Sequence, residues 1–196
     1  MSTAYLAPVQ YFTKLTAFDE IYLEMEEKYS KQTYRNRCHI VSANGIQVLT
    51  VPVEKYSTTK TLTRDIRISN HGNWHNLHWN TFVSAYNLSP FFKYYADDFS
   101  PFYKKKYTFL LDYNEALQAM ICNLLGIHPS IKRTANYLQF VENDFRLAID
   151  PRHPIIDEQF TPRPYYQVFR EKHGFISNLS IVDLLFNMGP EAILFI

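Results

Sequence analysis

The sequence contains few glycines and few cysteines. Only 5 of its 196 residues are glycine, and neither a GxGxxG nor a GxxxxGK[ST] motif is present. Because these motifs bring backbone amides close to phosphates, we expect neither a dinucleotide site of the usual kind nor a P-loop. The two cysteines, Cys38 and Cys122, are too few for a disulfide framework and lack the spacing of a zinc site. We therefore expect no cofactor, no metal and a reducing compartment.

Long apolar runs and an excess of one charge are also missing. No run approaches the length needed to span a bilayer, and the first eight residues lack the basic region of a signal peptide. The 20 Lys and Arg residues balance 19 Asp and Glu residues, for a net charge of +1. No global field therefore attracts nucleic acid or an anionic membrane, and any anion recognition must be local. We expect a cytoplasmic protein that binds neither.

Aromatic residues are abundant, with 15 Phe and 15 Tyr. Tyrosines suit a core that borders a wet cleft, and they equally suit an ordinary core in which their hydroxyls bond to the backbone. A chain of 196 residues is long enough for one substantial core and short for two. We therefore expect one domain spanning residues 1–196.

Hydrophobic patterning divides the chain into a strand-rich half and a helical half. Strand signals fall at residues 4–6, 21–24, 46–53, 65–68 and 131–134. Helical signals fall at residues 9–17, 74–87, 90–95, 98–103, 108–125 and 180–187. The Thr-rich segment 55–63 is predicted to be a mobile loop, and the Pro-rich segment 143–164 an ordered irregular one. The pattern predicts an α/β fold with a small central mixed or parallel sheet built mainly from the N-terminal half, and helices from residue 74 onward.

Residues 31–37 are the strongest candidate for ligand binding. Guanidinium groups beside amides suit an anionic or heavily hydroxylated ligand. A solvated turn is the alternative, although tyrosines interleave with the cations, which a purely solubilising surface does not require. The ligand-binding candidates in this segment are Lys31, Gln32, Arg35, Asn36 and Arg37.

Two groups are candidates for proton transfer. Glu24 and Glu26 share one face of a predicted strand, so one carboxylate can pair with an arginine while Glu26 acts as acid or base. Ion pairing along an edge strand is the alternative for these glutamates. His78 titrates near neutrality, and Trp74 lies four residues earlier on the same helical face as a further ligand contact. His75 and His78 have the spacing of two metal ligands but lack a third, and packing of the helix is the alternative for this face.

Several motifs, taken in order, resemble the bacterial WbqC-like family in the short form typical of Bacteroidetes. The motifs are Gln10-Tyr11-Phe12, Lys31-Gln32-Thr33-Tyr34-Arg35-Asn36-Arg37, Leu49-Thr50-Val51-Pro52-Val53, Trp74 with His78-Trp79, Tyr86 with Ser89-Pro90-Phe91-Phe92, Asp112-Tyr113-Asn114 and residues 178–190. The resemblance spans nearly the whole chain. Longer members begin with His-Gln-Pro and carry Asp-Asp after the second strand, where this chain has Met1-Ser2-Thr3 and Met25-Glu26. If that His or the first Asp is catalytic in those relatives, this chain has lost it.

The resemblance implies a role in surface-polysaccharide biosynthesis of the O-antigen type. Within that role we expect a transferase that uses an anionic activated donor, a small molecule or a sugar-linked one. Residues 31–37 would bind the donor, and Glu26 or His78 would move the proton. The alternative is a non-catalytic module that binds such a ligand or a protein. The oligomeric state is left open, a homo-oligomer included.

Overall fold

The computed structural model describes residues 1–56, 61–152 and 155–196. The helices of the described chain are α1 (Val9–Ala17), α2 (Trp74–Tyr86), α3 (Phe92–Phe99), α4 (Leu110–Leu125), α5 (Arg170–His173) and α6 (Ile181–Met188). The strands are β1 (Glu20–Leu23), β2 (Arg37–Ser42), β3 (Gly45–Thr50) and β4 (Ser130–Arg133). Short 3-10 helices lie at Thr63–Asp65, Ser100–Tyr103 and Gly189–Phe195.

The strands form two separate pairs. β1 and β4 are parallel, with Glu20 opposite Ser130 and Leu23 opposite Arg133. β2 and β3 form an antiparallel hairpin whose turn contains Gly45, at φ 101°, as the Asn44-Gly45 signal predicts. The α/β class is confirmed, although the described strands make two pairs where one small central sheet was expected.

Most predicted elements are found, and the differences have local causes. α1 has the predicted bounds, and the predicted return of residues 131–134 to the sheet is confirmed by β4. The strand predicted at residues 4–6 is wrong, because Leu6 has a left-handed φ of 42° that interrupts extended backbone. The helix predicted at 98–103 is the end of α3 followed by a 3-10 turn that carries Pro101. The strand predicted at 65–68 is reduced to two isolated bridges, and the loop predicted at 55–63 lies partly outside the described residues.

The C-terminal helix α6 occupies the centre of the core. It packs against α1, α3 and β2, and its apolar side chains are buried. Ser180 caps its start, accepting the N–H of Val182 and donating to the carbonyl of Leu6 at 2.7 Å. One continuous hydrophobic cluster therefore includes residues from Ala4 to Ala192.

Asp183, in the first turn of α6, is a buried structural carboxylate. It accepts hydrogen bonds from the hydroxyls of Tyr86 (2.8 Å) and Tyr165 (2.7 Å) and from the Gln167 amide (2.9 Å). Burial raises the pKa of Asp183 to about 6, although the three hydrogen bonds oppose that rise. In the sequence, Asp183 stands three residues after the capping Ser180, a spacing typical of a helix start.

A long irregular segment follows β4. The described residues in 143–164 contain no helix or strand, as predicted. The segment is attached to α1 by Asp157, whose carboxylate lies 2.7 Å from the buried Lys14 ammonium and 2.8 Å from the Gln10 amide. These contacts attach the segment to the buried face of α1.

Candidate functional site

A charged cleft of about 720 Å³ lies just beyond the carboxyl ends of the parallel strands β1 and β4. Ligands of open α/β sheets bind in the same place, because the loops that follow neighbouring parallel strands meet there. The described lining carries four acidic and four basic residues, so its formal charge is balanced. They are Glu26, Glu27, Asp144 and Asp150, and Lys28, Arg35, Arg146 and Arg152.

Arg35 forms a buried pair with Glu27 at the back of this cleft. The guanidinium donates from Nη2 to Oε2 at 2.5 Å and from Nε to Oε1 at 2.8 Å. The Ser2 hydroxyl donates to Glu27 at 2.9 Å and accepts from Arg35 at 2.9 Å. Both charged side chains are at least nine-tenths buried. Such a bidentate pair fixes the geometry of both groups.

Glu24 ties the end of β1 to the segment after β4. Its carboxylate accepts from the Thr134 hydroxyl (2.8 Å), the Leu138 N–H (3.0 Å) and the Arg146 guanidinium (3.3 Å). Burial alone would raise the pKa of Glu24, but these bonds and the N–H of Glu26 outweigh it and lower the pKa. The carboxylate is therefore held ionised as a structural anchor.

Two Asp-x-Arg units supply the other wall. In each unit the arginine N–H donates to the carboxylate two residues earlier, at 3.0 Å from Arg146 to Asp144 and 2.9 Å from Arg152 to Asp150. Each guanidinium also bonds both oxygens of that carboxylate. Burial would raise the pKa of each aspartate, but the arginine bonds outweigh it and lower both pKa values.

The Asp-x-Arg units also connect the cleft walls. Arg146 donates to the Leu138 carbonyl at 2.7 Å, and Arg152 donates to the Ser30 hydroxyl at 2.7 Å. All four residues of these units, Asp144, Arg146, Asp150 and Arg152, were missed as site residues from the sequence. The available signal was the repetition of Asp-x-Arg at a six-residue interval, because a carboxylate two residues before an arginine closes a local turn.

Two of the predicted site residues line the cleft. Glu26 is largely buried at its wall, where it pairs with Arg64 from the first 3-10 helix. Arg35 is present too, but its guanidinium is already bonded to Glu27. The structure thus brings Glu26 and Arg35 together, and their roles in catalysis and binding remain predictions.

The other predicted residues of the 31–37 segment lie outside the described lining. Asn36 is buried and donates to the Val51 carbonyl at 2.9 Å, an ordinary core contact. Arg37 begins β2 and is half-buried, with its Nε unbonded among the described groups. Lys31 and Gln32 are exposed, and the Lys31 ammonium lies 5.2 Å from the centre of the Tyr56 ring. The residues that were expected to form one binding surface therefore point in different directions. Asn36 faces the core, whereas Lys31 and Gln32 face solvent.

His78 and Trp74 lie on the buried face of α2, and neither is part of the described cleft lining. His78 is 2% exposed, and its Nδ1 lies 2.9 Å from the Tyr5 hydroxyl, which in turn lies 2.9 Å from the Tyr103 hydroxyl. Burial lowers the pKa of His78 to about 4, although a hydrogen bond to the Thr50 backbone opposes the shift. Trp74 is also buried and donates to the Ser69 carbonyl at 3.2 Å. Their contacts are those of packed side chains, because α2 turns this face inward.

No group of three or more His, Cys, Asp or Glu side chains in the described chain is placed to hold a metal ion. The described helices also do not include one that combines the length and apolar character needed to cross a membrane.

The fold and the cleft define an α/β protein with a charge-balanced cleft at the end of a parallel strand pair. The chain belongs to the WbqC-like protein family, whose sequence model matches residues 3–153. All eight charged residues of the cleft lie within that match. The single-domain span of residues 1–196 extends beyond it and stays a prediction.

A relative in Mycobacterium tuberculosis (strain ATCC 25618 / H37Rv), the uncharacterized protein Rv1507c, is 27% identical over 210 residues. The alignment covers 93% of this chain and 89% of that protein. No solved structure matches the chain.

Proposed function

We propose that this protein acts in surface-polysaccharide biosynthesis and binds an activated, sugar-bearing donor in the charged cleft, from which it transfers a group. The family name supports the pathway. The observation that supports the site is the cleft itself, in which paired guanidinium and carboxylate groups project from three chain segments beyond β1 and β4.

The charge balance indicates what part of a donor this cleft recognises. The three guanidinium groups of the lining each contact a carboxylate, so a bare phosphate would have to displace one. Hydroxyl groups can instead donate to a carboxylate while accepting from its arginine, and both charges then stay paired. A sugar ring fits this pattern, with Tyr137 as an aromatic surface in the same wall. The anionic part of the donor would contact the exposed Lys28.

Glu26 is the proposed proton acceptor. It is the glutamate of the wall that pairs with a half-exposed arginine, whereas Glu27 is bound by the buried Arg35. An acceptor hydroxyl or amine would give its proton to the Glu26 carboxylate as it bonds to the transferred group. The donor's leaving group would depart with the electron pair of the broken bond.

A non-catalytic binding module is the second candidate, and the low pKa values of the cleft carboxylates favour it. Asp144 and Asp150 of the lining are held ionised, as is Glu24 at the end of β1 outside it, so none of the three is suited to donate a proton at neutral pH. A binding site needs only fixed donors and acceptors, which these residues supply.

The Glu26→Gln variant separates the two functions. We expect it to keep the fold and bind nucleotide sugars in a thermal-shift screen, while transfer to an added acceptor falls at least about a hundredfold. Glu54→Gln is the matched control, since Glu54 forms an exposed pair with Arg67 outside the cleft. A Glu26→Gln variant that transfers at the wild-type rate would remove Glu26 from catalysis. Ligand binding without transfer by the wild type would establish the binding module.

A further inference from the structure

An apolar groove continues from the charged cleft. Its cavity is about 460 Å³, and Asp144 and Leu147 are common to the walls of both cavities. The remaining apolar wall of the groove comes from Phe145, Ala148, Ile155 and Ile156. The two cavities therefore adjoin at Asp144 and Leu147, and together they offer a depression with a charged end and a more apolar end.

The apolar side chains of the groove remain in water in the described structure. Ile156 is 89% exposed, Leu147 65% and Ile155 55%. Isolated exposed side chains are normal on protein surfaces, but a cluster bordering a polar cleft is typical of a ligand groove. The groove also has polar lining residues. Asp157 is paired with Lys14, and Asn143, Glu158 and Gln159 are exposed at its rim.

We infer that the depression binds an amphiphile, with a hydroxylated or anionic head group in the charged cleft and its hydrocarbon chain along Leu147, Ile155 and Ile156. The inference rests on the proposed function, because the head group is the substrate part placed in the cleft. It names the substrate class of that site as lipid-linked.

The charge distribution favours a single amphiphile over a bilayer surface. An anionic membrane surface attracts proteins that carry a net positive patch. The described lining of this cleft instead has four acidic and four basic residues. A single molecule can place its polar head among paired charges and its chain in the adjoining groove. Burying that chain also removes the exposed isoleucines and leucine from water.

A chain-length series tests the inference by calorimetry. The probes are n-alkyl phosphates and n-alkyl glucosides of increasing chain length, each kept below its micelle-forming concentration. For at least one series we expect affinity to rise by about fourfold for each methylene buried, until the groove is filled. The Ile155→Ser/Ile156→Ser variant should lose this dependence and keep the affinity for the methyl member, because neither residue lines the charged cleft. Both residues are exposed, so the fold should be retained.

Leu88→Ser is the matched control, since Leu88 is 85% exposed and lines neither cavity. It should behave as the wild type. Affinity independent of chain length in both series, a chain-length effect that the double variant retains, or no binding of either series would overturn the inference. So would a double variant whose only change is weaker self-association or weaker binding to phosphatidylglycerol vesicles, because the groove would then contact another copy or a membrane.

These outcomes are distinct from failure of the proposed function. Calorimetry needs no turnover, so chain-dependent binding stands even where no transfer is detected. Transfer from a donor without a hydrocarbon chain, at a rate that added chains do not improve, would keep the proposed function and overturn the amphiphile.

Discussion

At the scale of single residues, the charges of the cleft are defined by their partners. Arg35 was predicted to bind a ligand, and its guanidinium is buried against Glu27. His78 was predicted as a proton carrier, yet it is enclosed by Tyr5 and the Thr50 backbone. Each type of side chain has the chemistry that was expected of it, but burial directs that chemistry toward the protein itself.

Arg35→Ala should therefore destabilise the apo protein by about 3 to 5 kcal/mol, because it leaves the buried Glu27 unpaired. Urea unfolding measures this loss. Arg67→Ala is the control, because Arg67 and Glu54 form an exposed pair that should contribute less than about 1 kcal/mol. Equal losses for the two variants would show that Arg35 is not a structural ion-pair partner.

His78 should make stability depend on pH. The unfolded chain binds a proton at this histidine below about pH 6.5, whereas burial lowers the pKa in the folded chain to about 4. The lowered pKa of His78 therefore stabilises the folded state above about pH 6.5, and this stabilisation is lost as the pH falls from about 6.5 to about 4. Between about pH 7.5 and about pH 4.5 the loss should be about 2 to 3 kcal/mol.

The free energy of unfolding of wild type minus that of His78→Gln isolates this term. Asp183 has a raised pKa and acts with the opposite sign in an overlapping interval, but it is common to both proteins and cancels. A difference that stays constant with pH would contradict the buried neutral state of His78.

At the scale of secondary structure, helix ends and turns follow local chemistry closely. Ser180 caps α6, and Gly126 ends α4 with a left-handed φ of 69°. Gly189 ends α6 with φ 57°, and a Cβ on it would lie 2.5 Å from the Phe91 ring. This glycine is thus required both by backbone conformation and by packing.

Gly189→Ala should cost about 2 to 4 kcal/mol, from the strained φ and from overpacking against Phe91. Gly45→Ala is the control, because Gly45 also has a positive φ but a Cβ there meets no atom within 4 Å. Guanidinium unfolding of both variants separates the clash from the backbone strain. A Gly189→Ala cost no larger than that of Gly45→Ala would mean that Phe91 moves aside freely.

At the scale of the whole molecule, the last elements complete the core. α6 lies against elements from both halves of the chain, and Tyr86 and Tyr165 bond to its Asp183. The C-terminal part of the chain is therefore needed by the elements that precede it.

Truncation after Asn178 should give insoluble or molten protein, because it uncovers the apolar faces that α6 buries. Near-ultraviolet circular dichroism and dye binding to exposed apolar surface would show the loss of fixed packing. Soluble, cooperatively folding and ligand-binding truncated protein would instead identify this segment as an interaction element and favour the partner-binding alternative.

The sequence by itself determined the α/β class, the bounds of α1, the turn at Asn44-Gly45 ahead of β3, the return of residues 131–134 to the sheet and the family, but not the strand β2. The structural features depend on periodicity, turn residues and caps, which act over a few neighbouring residues, whereas the family was indicated by the resemblance of motifs along the chain. Tertiary structure alone decided that Glu24 would meet Arg146, that Arg35 would be held by Glu27, and that His78 would be enclosed. Those outcomes depend on burial and on contacts between distant segments, and the same side chain binds a ligand or a neighbour according to what the fold places beside it.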